Sequence, residues 1–174
     1  MPTVIIRPDA ISSDSGFDQT GSNLLERIND NDTGTGVNQN QTSANFNVGM
    51  ENSSDYSGAT INNVVVSITG NTINVKVPEA DFEVRLLNAA ESVLQSSTLT
   101  FTPTESTEST AEYSTDLTPS VVDGLNLTVT PDTSGITIKE VFITVDYTAA
   151  AASTTPFIEM KSGKYKIVSG KVKI

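Results

Sequence analysis

Carboxylates dominate the chemistry this chain could perform: 21 Asp and Glu stand against 10 Lys and Arg, with no His, no Cys and no Trp among 174 residues. Without imidazole or thiol, Ser-His-Asp and Cys-His nucleophilic systems are excluded. Tetrahedral zinc, haem and iron–sulfur centres lose their usual ligands for the same reason. What remains is carboxylate or lysine chemistry, or the binding of a hard, oxygen-seeking cation. Two arrangements bear on this. Asn29-Asp30-Asn31-Asp32-Thr33-Gly34 places oxygen ligands at alternate positions with Gly at the sixth, as a calcium loop does, but Asn40 stands at the twelfth position where a bidentate Glu is needed. The segment therefore reads as a turn. Asp14, Asp18, Glu26 and the Glu105, Glu108, Glu112 series offer pairs of the kind used in glycoside hydrolysis. Such pairs need a cleft with aromatic platforms, and 6 Phe and 4 Tyr without Trp supply little for one. A solvated acidic surface is the expectation, with no catalytic residue, no metal ligand and no cofactor. Tyr56 and Tyr113, in turn-rich segments, are candidate glycan contacts.

The elements that would position these groups read as strands. Hydrophobic residues make up 36% and charged residues 18% of the chain, both low, and Ser, Thr and Asn fill the balance. Long charged helix formers are scarce while Val, Ile and Thr are common, which favours strands and turns. TVIIR at Thr3–Arg7 is a first strand stopped by Pro8. LLERI at Leu24–Ile28 fits either a strand or a helical turn. Ala44, Phe46 and Val48 alternate with Asn45 and Asn47. Ala59–Gly70 and Thr72–Pro78 read as a hairpin joined through Gly70-Asn71. Asp81–Leu87 and Ser97–Thr102 are further strands, the low-complexity TPTESTESTAEYST is an exposed acidic loop, and Leu125–Thr130 is a strand. In Ile136–Tyr147 the residues Val141, Ile143, Val145 and Tyr147 share one face, with Phe142 on the other. Eight or nine short strands with turns between them predict an all-β, antiparallel sandwich of jelly-roll or immunoglobulin-like kind over residues 1–147.

Beyond it the pattern changes. TAAAASTTP at residues 148–156 is a linker by composition. Residues 157–174, FIEMKSGKYKIVSGKVKI, form a C-terminal extended β arm in which SGKYKI returns seven residues later as SGKVKI. Lys161, Lys164, Lys166, Lys171 and Lys173 alternate with or flank Tyr165, Ile167, Val172 and Ile174, and Phe157 and Ile158 open the segment. Too small to fold alone, this amphipathic arm needs a surface, which makes all these residues candidates for subunit docking. Charge supports that reading. The chain carries −11 overall, yet its last fourteen positions hold five lysines and no acid, so the body is far more acidic than the total implies. An acidic body repels nucleic acid and complements a basic arm from a sister subunit. The opening MPTVIIRPDA lacks the basic and apolar regions of a signal peptide, and no apolar run is long enough to cross a bilayer, so no membrane partner is expected.

TVIIRPDA, LLERINDND, ITIKEVFITVDYT and SGKYKIVSGKVKI together resemble segments of a group of small structural proteins of tailed bacteriophages. The resemblance implies a non-enzymatic virion protein, a capsid decoration or cement protein or else a tail, neck or fibre-attachment component. Its partners would be copies of itself and the major capsid protein or tail and neck proteins, and its location the virion. The resemblance carries no active-site residue. The reading from a different class is a carbohydrate-binding or adhesin module, with a host-surface glycan as partner.

Overall fold

Period-two alternation over most of the chain is realised as two packed antiparallel sheets. The computed structural model describes residues 2–18, 24–29, 31, 34–39, 44–73, 78–132, 135–151, 158–161 and 164–167. The elements are β1 (Thr3–Ile6), β2 (Pro8–Ser15), β3 (Phe17–Asp18), α1 (Leu24–Ile28), β4 (Val37–Gln39), β5 (Asn45–Met50), β6 (Thr60–Thr72), β7 (Ala80–Leu87), β8 (Val93–Phe101), β9 (Ser106–Ser109), α2 (Pro119–Val122), β10 (Asn126–Pro131), β11 (Ile136–Thr148), β12 (Ile158–Lys161) and β13 (Lys164–Ile167). One sheet runs β3-β4-β11-β6-β9, with β1 also paired to β11. The other, five-stranded, runs β2-β5-β10-β7-β8. This is the antiparallel β-sandwich that the alternation predicts.

The core lies between the sheets. Val141, Ile143 and Val145 stand opposite Ile68, Val66 and Val64 across the β11–β6 ladder, all buried. Phe46 and Val48 on β5, Leu127 and Val129 on β10, and Phe82, Val84 and Leu86 on β7 face them from the second sheet, also buried. Phe82 and Phe101 pack with ring centroids 4.5 Å apart, and Phe17 meets Phe46 edge-on at 5.2 Å. LLERI resolves as a helical turn that buries Leu24 and Ile28 in the same core.

Three expectations are corrected. There is no turn at Gly70-Asn71, because β6 runs unbroken from Thr60 to Thr72 and pairs with β11 along its length. Gly70 serves a close approach instead: a Cβ there would lie 2.2 Å from the Thr137 carbonyl oxygen and 2.7 Å from the Phe101 ring. The acidic TPTESTESTAEYST is not wholly a loop. Its Ser106–Ser109 segment pairs with β6, and Tyr113 and Val64 exchange backbone hydrogen bonds of 2.9 and 3.0 Å. The expected linker starts inside β11, which continues to Thr148. Residues 152–156 of that linker, with Phe157, Lys171, Val172, Lys173 and Ile174 of the arm, lie outside the described residues. Ile158 and Lys161 fall in β12, and Lys164, Tyr165, Lys166 and Ile167 in β13, which pair as an antiparallel hairpin.

Candidate functional site

Strand alternation that sends Phe46 and Val48 inward sends Asn45 and Asn47 outward, and the same holds along β10, β7 and β8. The outer face of the five-stranded sheet is therefore polar. One row crosses it as Ser13, Asn47, Thr128, Arg85 and Ser96. The next holds Thr130, Glu83 and Thr98, and Asp81 stands opposite Thr100. On the β7–β8 side these groups engage one another. Ser96 Oγ donates to Glu83 Oε1 at 2.7 Å, Thr100 Oγ1 donates to Asp81 Oδ1 at 2.6 Å, and Arg85 pairs with Glu83 at 2.7 Å. The Arg85 and Ser96 hydrogen bonds hold the Glu83 carboxyl below its ordinary value. In the centre stand Asn47, Thr128 and Thr130. Asn47 Oδ1 is shielded from solvent and has no hydrogen-bond partner.

The outer face of the six-stranded sheet is different. Phe142, which the alternation placed opposite the core face, stands there beside Ser67. The Arg7 guanidinium lies 5.7 Å from its ring centroid and pairs with Glu140. A second ion pair, Lys139 with Glu105, ties β11 to the segment leading into β9. Ser67 and Ser109 share a 2.9 Å hydrogen bond, and Thr69 and Thr107 one of 2.7 Å. Ion pairs and paired hydroxyls thus link neighbouring strands across this face.

The residues singled out from sequence are scattered. Tyr56 is fully buried, not exposed in a loop. Its hydroxyl donates to Asp123 Oδ1 at 2.7 Å and accepts from the Ser53 N–H at 3.3 Å, and its ring meets Tyr147 edge-on at 6.3 Å. Burial first, then the Asp123 hydrogen bond, pushes the phenol well above its ordinary value. Tyr56 is thus a structural pin between two loops. Tyr113 is half-buried and packs against the core. In the calcium-like segment, Asn29 Nδ2 donates to the Pro8 carbonyl at 2.6 Å, and Asn31 Oδ1 accepts from Arg7 Nη2 at 2.9 Å. Both therefore brace the β1–β2 corner, while Asp30, Asp32, Thr33 and Asn40 lie outside the described residues. Among the described residues no group of three metal-ligating side chains forms. Glu105 pairs with Lys139, and Glu108 accepts from Ser106 Oγ at 2.8 Å.

Asp14 departs from the solvated surface expected of it. It stands opposite Phe46 on the inward side of β2, and both carboxylate oxygens are shielded from solvent with no hydrogen-bond partner. Burial raises its pKa above the ordinary 3.8. The folded chain then holds this proton more tightly than the unfolded chain, so Asp14 lowers stability as pH climbs from 3.8 upward. Asp14→Asn is expected to raise stability at pH 7 by about 1 kcal/mol, roughly 2–4 °C in Tm. Melting curves at pH 7 and pH 3 check it, since the gain should vanish at the lower pH.

No protein-family model and no curated protein matches the sequence. Solved structures do match the fold. The C-terminal CBM6 module of a marine laminarinase from Zobellia galactanivorans aligns over 83% of this chain and 98% of its own, with TM-score 0.51 and 13% identity. A carbohydrate-binding module of Cellvibrio mixtus lichenase 5A, solved with cellotriose, covers 83% and 97% at TM-score 0.44 and 11% identity. The CBM36-1 domain of a xylanase from the hindgut metagenome of Trinervitermes trinervoides covers 86% and 100% at TM-score 0.44 and 6% identity. The architecture is a β-sandwich of the kind found in carbohydrate-binding modules. That likeness overturns the expectation of a capsid cement, tail or neck protein. The strand style that suggested phage proteins is shared by β-sandwiches of unrelated function.

Proposed function

We propose that this chain is a non-catalytic carbohydrate-binding module whose ligand lies across the outer face of the five-stranded sheet. The observation that carries the reading is the polar outer face of that sheet, with Asn47, Thr128 and Thr130 at its centre, on a fold shared with a carbohydrate-binding module. A sugar presents closely spaced hydroxyls, each both donor and acceptor. Amide and hydroxyl side chains repeating along neighbouring strands answer that pattern without rearrangement. The glycan alternative already visible in the sequence thus keeps its function but changes its residues, from Tyr56 and Tyr113 to a sheet face. With no aromatic in its rows, this face relies on hydrogen bonds, and affinity should be modest.

Affinity electrophoresis against soluble β-glucan, xylan, mannan and pectin tests it. At least one polysaccharide should retard the chain, and Asn47→Ala/Thr128→Val should weaken binding by about tenfold or more, roughly 1.4 kcal/mol, with Tm unchanged. Unretarded migration on every polysaccharide would reject the reading. Retardation that the double variant leaves intact would move the site off this face.

A further inference from the structure

Glycine inside a strand weakens it, and such a residue often marks a place where a backbone or a ligand comes close. At Gly70 the approaching group is the neighbouring backbone. At Gly49, inside β5, no comparable contact exists. Its φ lies outside the left-handed region, and a Cβ there would meet its nearest neighbours at 3.6 to 3.7 Å, an ordinary contact distance. A side chain would fit, yet none is present. Val48 and Met50 on either side are buried, so Gly49 faces outward and leaves a notch in the polar layer of the five-stranded sheet. Ala10 on β2 and Asn126 on β10 flank it, one row along from Asn47 and Thr128.

Two side-chain oxygens wall the notch. Pro8 pairs with Met50 and Ala10 with Gly49, so Asp9 is the extra residue of a β-bulge, and a bulge re-aims a side chain. Here it brings Asp9 Oδ1 to 3.7 Å from the Gly49 Cβ position. Asp9 is exposed, and among the described residues no ion pair or hydrogen bond takes up its carboxylate. On the other side, Asn126 Nδ2 donates to the Gly124 and Asn88 carbonyls at 3.4 and 3.5 Å, which leaves Asn126 Oδ1 beside the notch at 3.6 Å. Both oxygens accept and neither donates. A ligand seated there must supply the donors, and a carboxylate on that ligand would stand against Asp9. Resting on the glycan reading above, we propose that the notch over Gly49 seats a sugar ring of a neutral polysaccharide, whose hydroxyls donate to Asp9 and Asn126, and that it rejects polyuronates. The glycine lets the ring reach the sheet, and Asp9 decides which sugars enter. The −11 charge of the chain acts in the same direction at longer range.

Affinity electrophoresis of the full chain in β-glucan, xylan, mannan and polygalacturonate tests this. At least one neutral polysaccharide should retard the chain, and polygalacturonate should not. Gly49→Val and Asp9→Ala should each weaken the retardation by about tenfold or more, with Gly49→Ala in between. Melting temperature separates blocking from unfolding. The valine variant should melt at or above the parent's temperature, because a β-branched residue replaces glycine inside a strand. A much lower temperature would reveal a structural need for the glycine and overturn the proposal. Retardation by polygalacturonate as strong as by the neutral polymers overturns it too, as does parental binding by Gly49→Val. Parental binding by Gly49→Val, with binding lost in Asn47→Ala/Thr128→Val, removes the notch and leaves the glycan face standing. A parent chain unretarded by all four polysaccharides removes both.

Discussion

Gly70→Val is expected to unfold the chain or to leave it less stable by about 4 kcal/mol or more, the upper tail of single-substitution effects. Gly70 sits in the interior of a 13-residue strand and pairs with Ile138 of β11. The space a side chain would occupy is already filled. A Cβ alone would fall 2.2 Å from the Thr137 carbonyl oxygen and 2.7 Å from two ring carbons of Phe101. A ring can tilt, but a carbonyl fixed in the central ladder of the sheet cannot withdraw without breaking its pairing. The register shift between Ile138 and Glu140 lies at this point, so the backbones are locally crowded. With total stability of a domain near 5–15 kcal/mol, the β-branched variant should lose most of its cooperative urea transition. Gly70→Ala should lie between it and the parent. Urea unfolding followed by circular dichroism measures the series, and a valine variant with the parental midpoint would contradict the crowding argument.

The same glycine shows what the sequence could not reveal. Gly-Asn between two β-branched runs is a good hairpin signal, and no local rule distinguishes it from a glycine placed where another strand comes close. Only the tertiary pairing of β6 with β11 does so. Where alternation was regular the inward face was legible. Phe46 and Val48, and Val141, Ile143 and Val145, are all buried as their spacing implies, and Phe142 is turned away from the core. Where composition masked alternation it was not. Ser106–Ser109 has no apolar residue, yet it forms a strand because Ser67 and Thr69 across the ladder are matching hydroxyls.

The site was less legible than the fold. Aromatic residues in polar segments drew attention to Tyr56, but a phenol can be buried when its hydroxyl finds a partner, and Asp123, distant in sequence, is that partner. The face now proposed is made of Asn, Thr and Ser, which the whole chain contains in abundance. Nothing in their spacing marks Asn47 and Thr128 as neighbours until β5 and β10 pair. The arm was singled out by its lysines, and the structure places Ile158–Lys161 and Lys164–Ile167 in an antiparallel hairpin.

Arg7→Met is expected to cost about 3 kcal/mol, and adding Glu140→Leu should recover most of that loss. Arg7 occupies the corner where the chain passes from β1 in one sheet to β2 in the other. Its N–H donates to Glu51 Oε1 at 3.0 Å, and its carbonyl accepts from the Glu51 N–H at 2.8 Å. Its guanidinium donates to Glu140 and to Asn31 Oδ1 while lying against Phe142. Glu140 is only 8% exposed, so removing the guanidinium strands a shielded carboxylate, and that penalty exceeds what the pair itself contributes. Methionine keeps contact with Phe142 and isolates the charge effect. Replacing both members by apolar side chains leaves no buried charge, which is why the double variant should approach the parent. Urea unfolding of the four chains of the cycle measures the coupling, and equal losses in the single and double variants would refute it. The double variant also separates the two sheet faces. Its changes lie on the six-stranded sheet, so it should bind polysaccharide as the parent does, whereas a site on the Phe142 face would lose affinity with the Arg7 and Glu140 side chains.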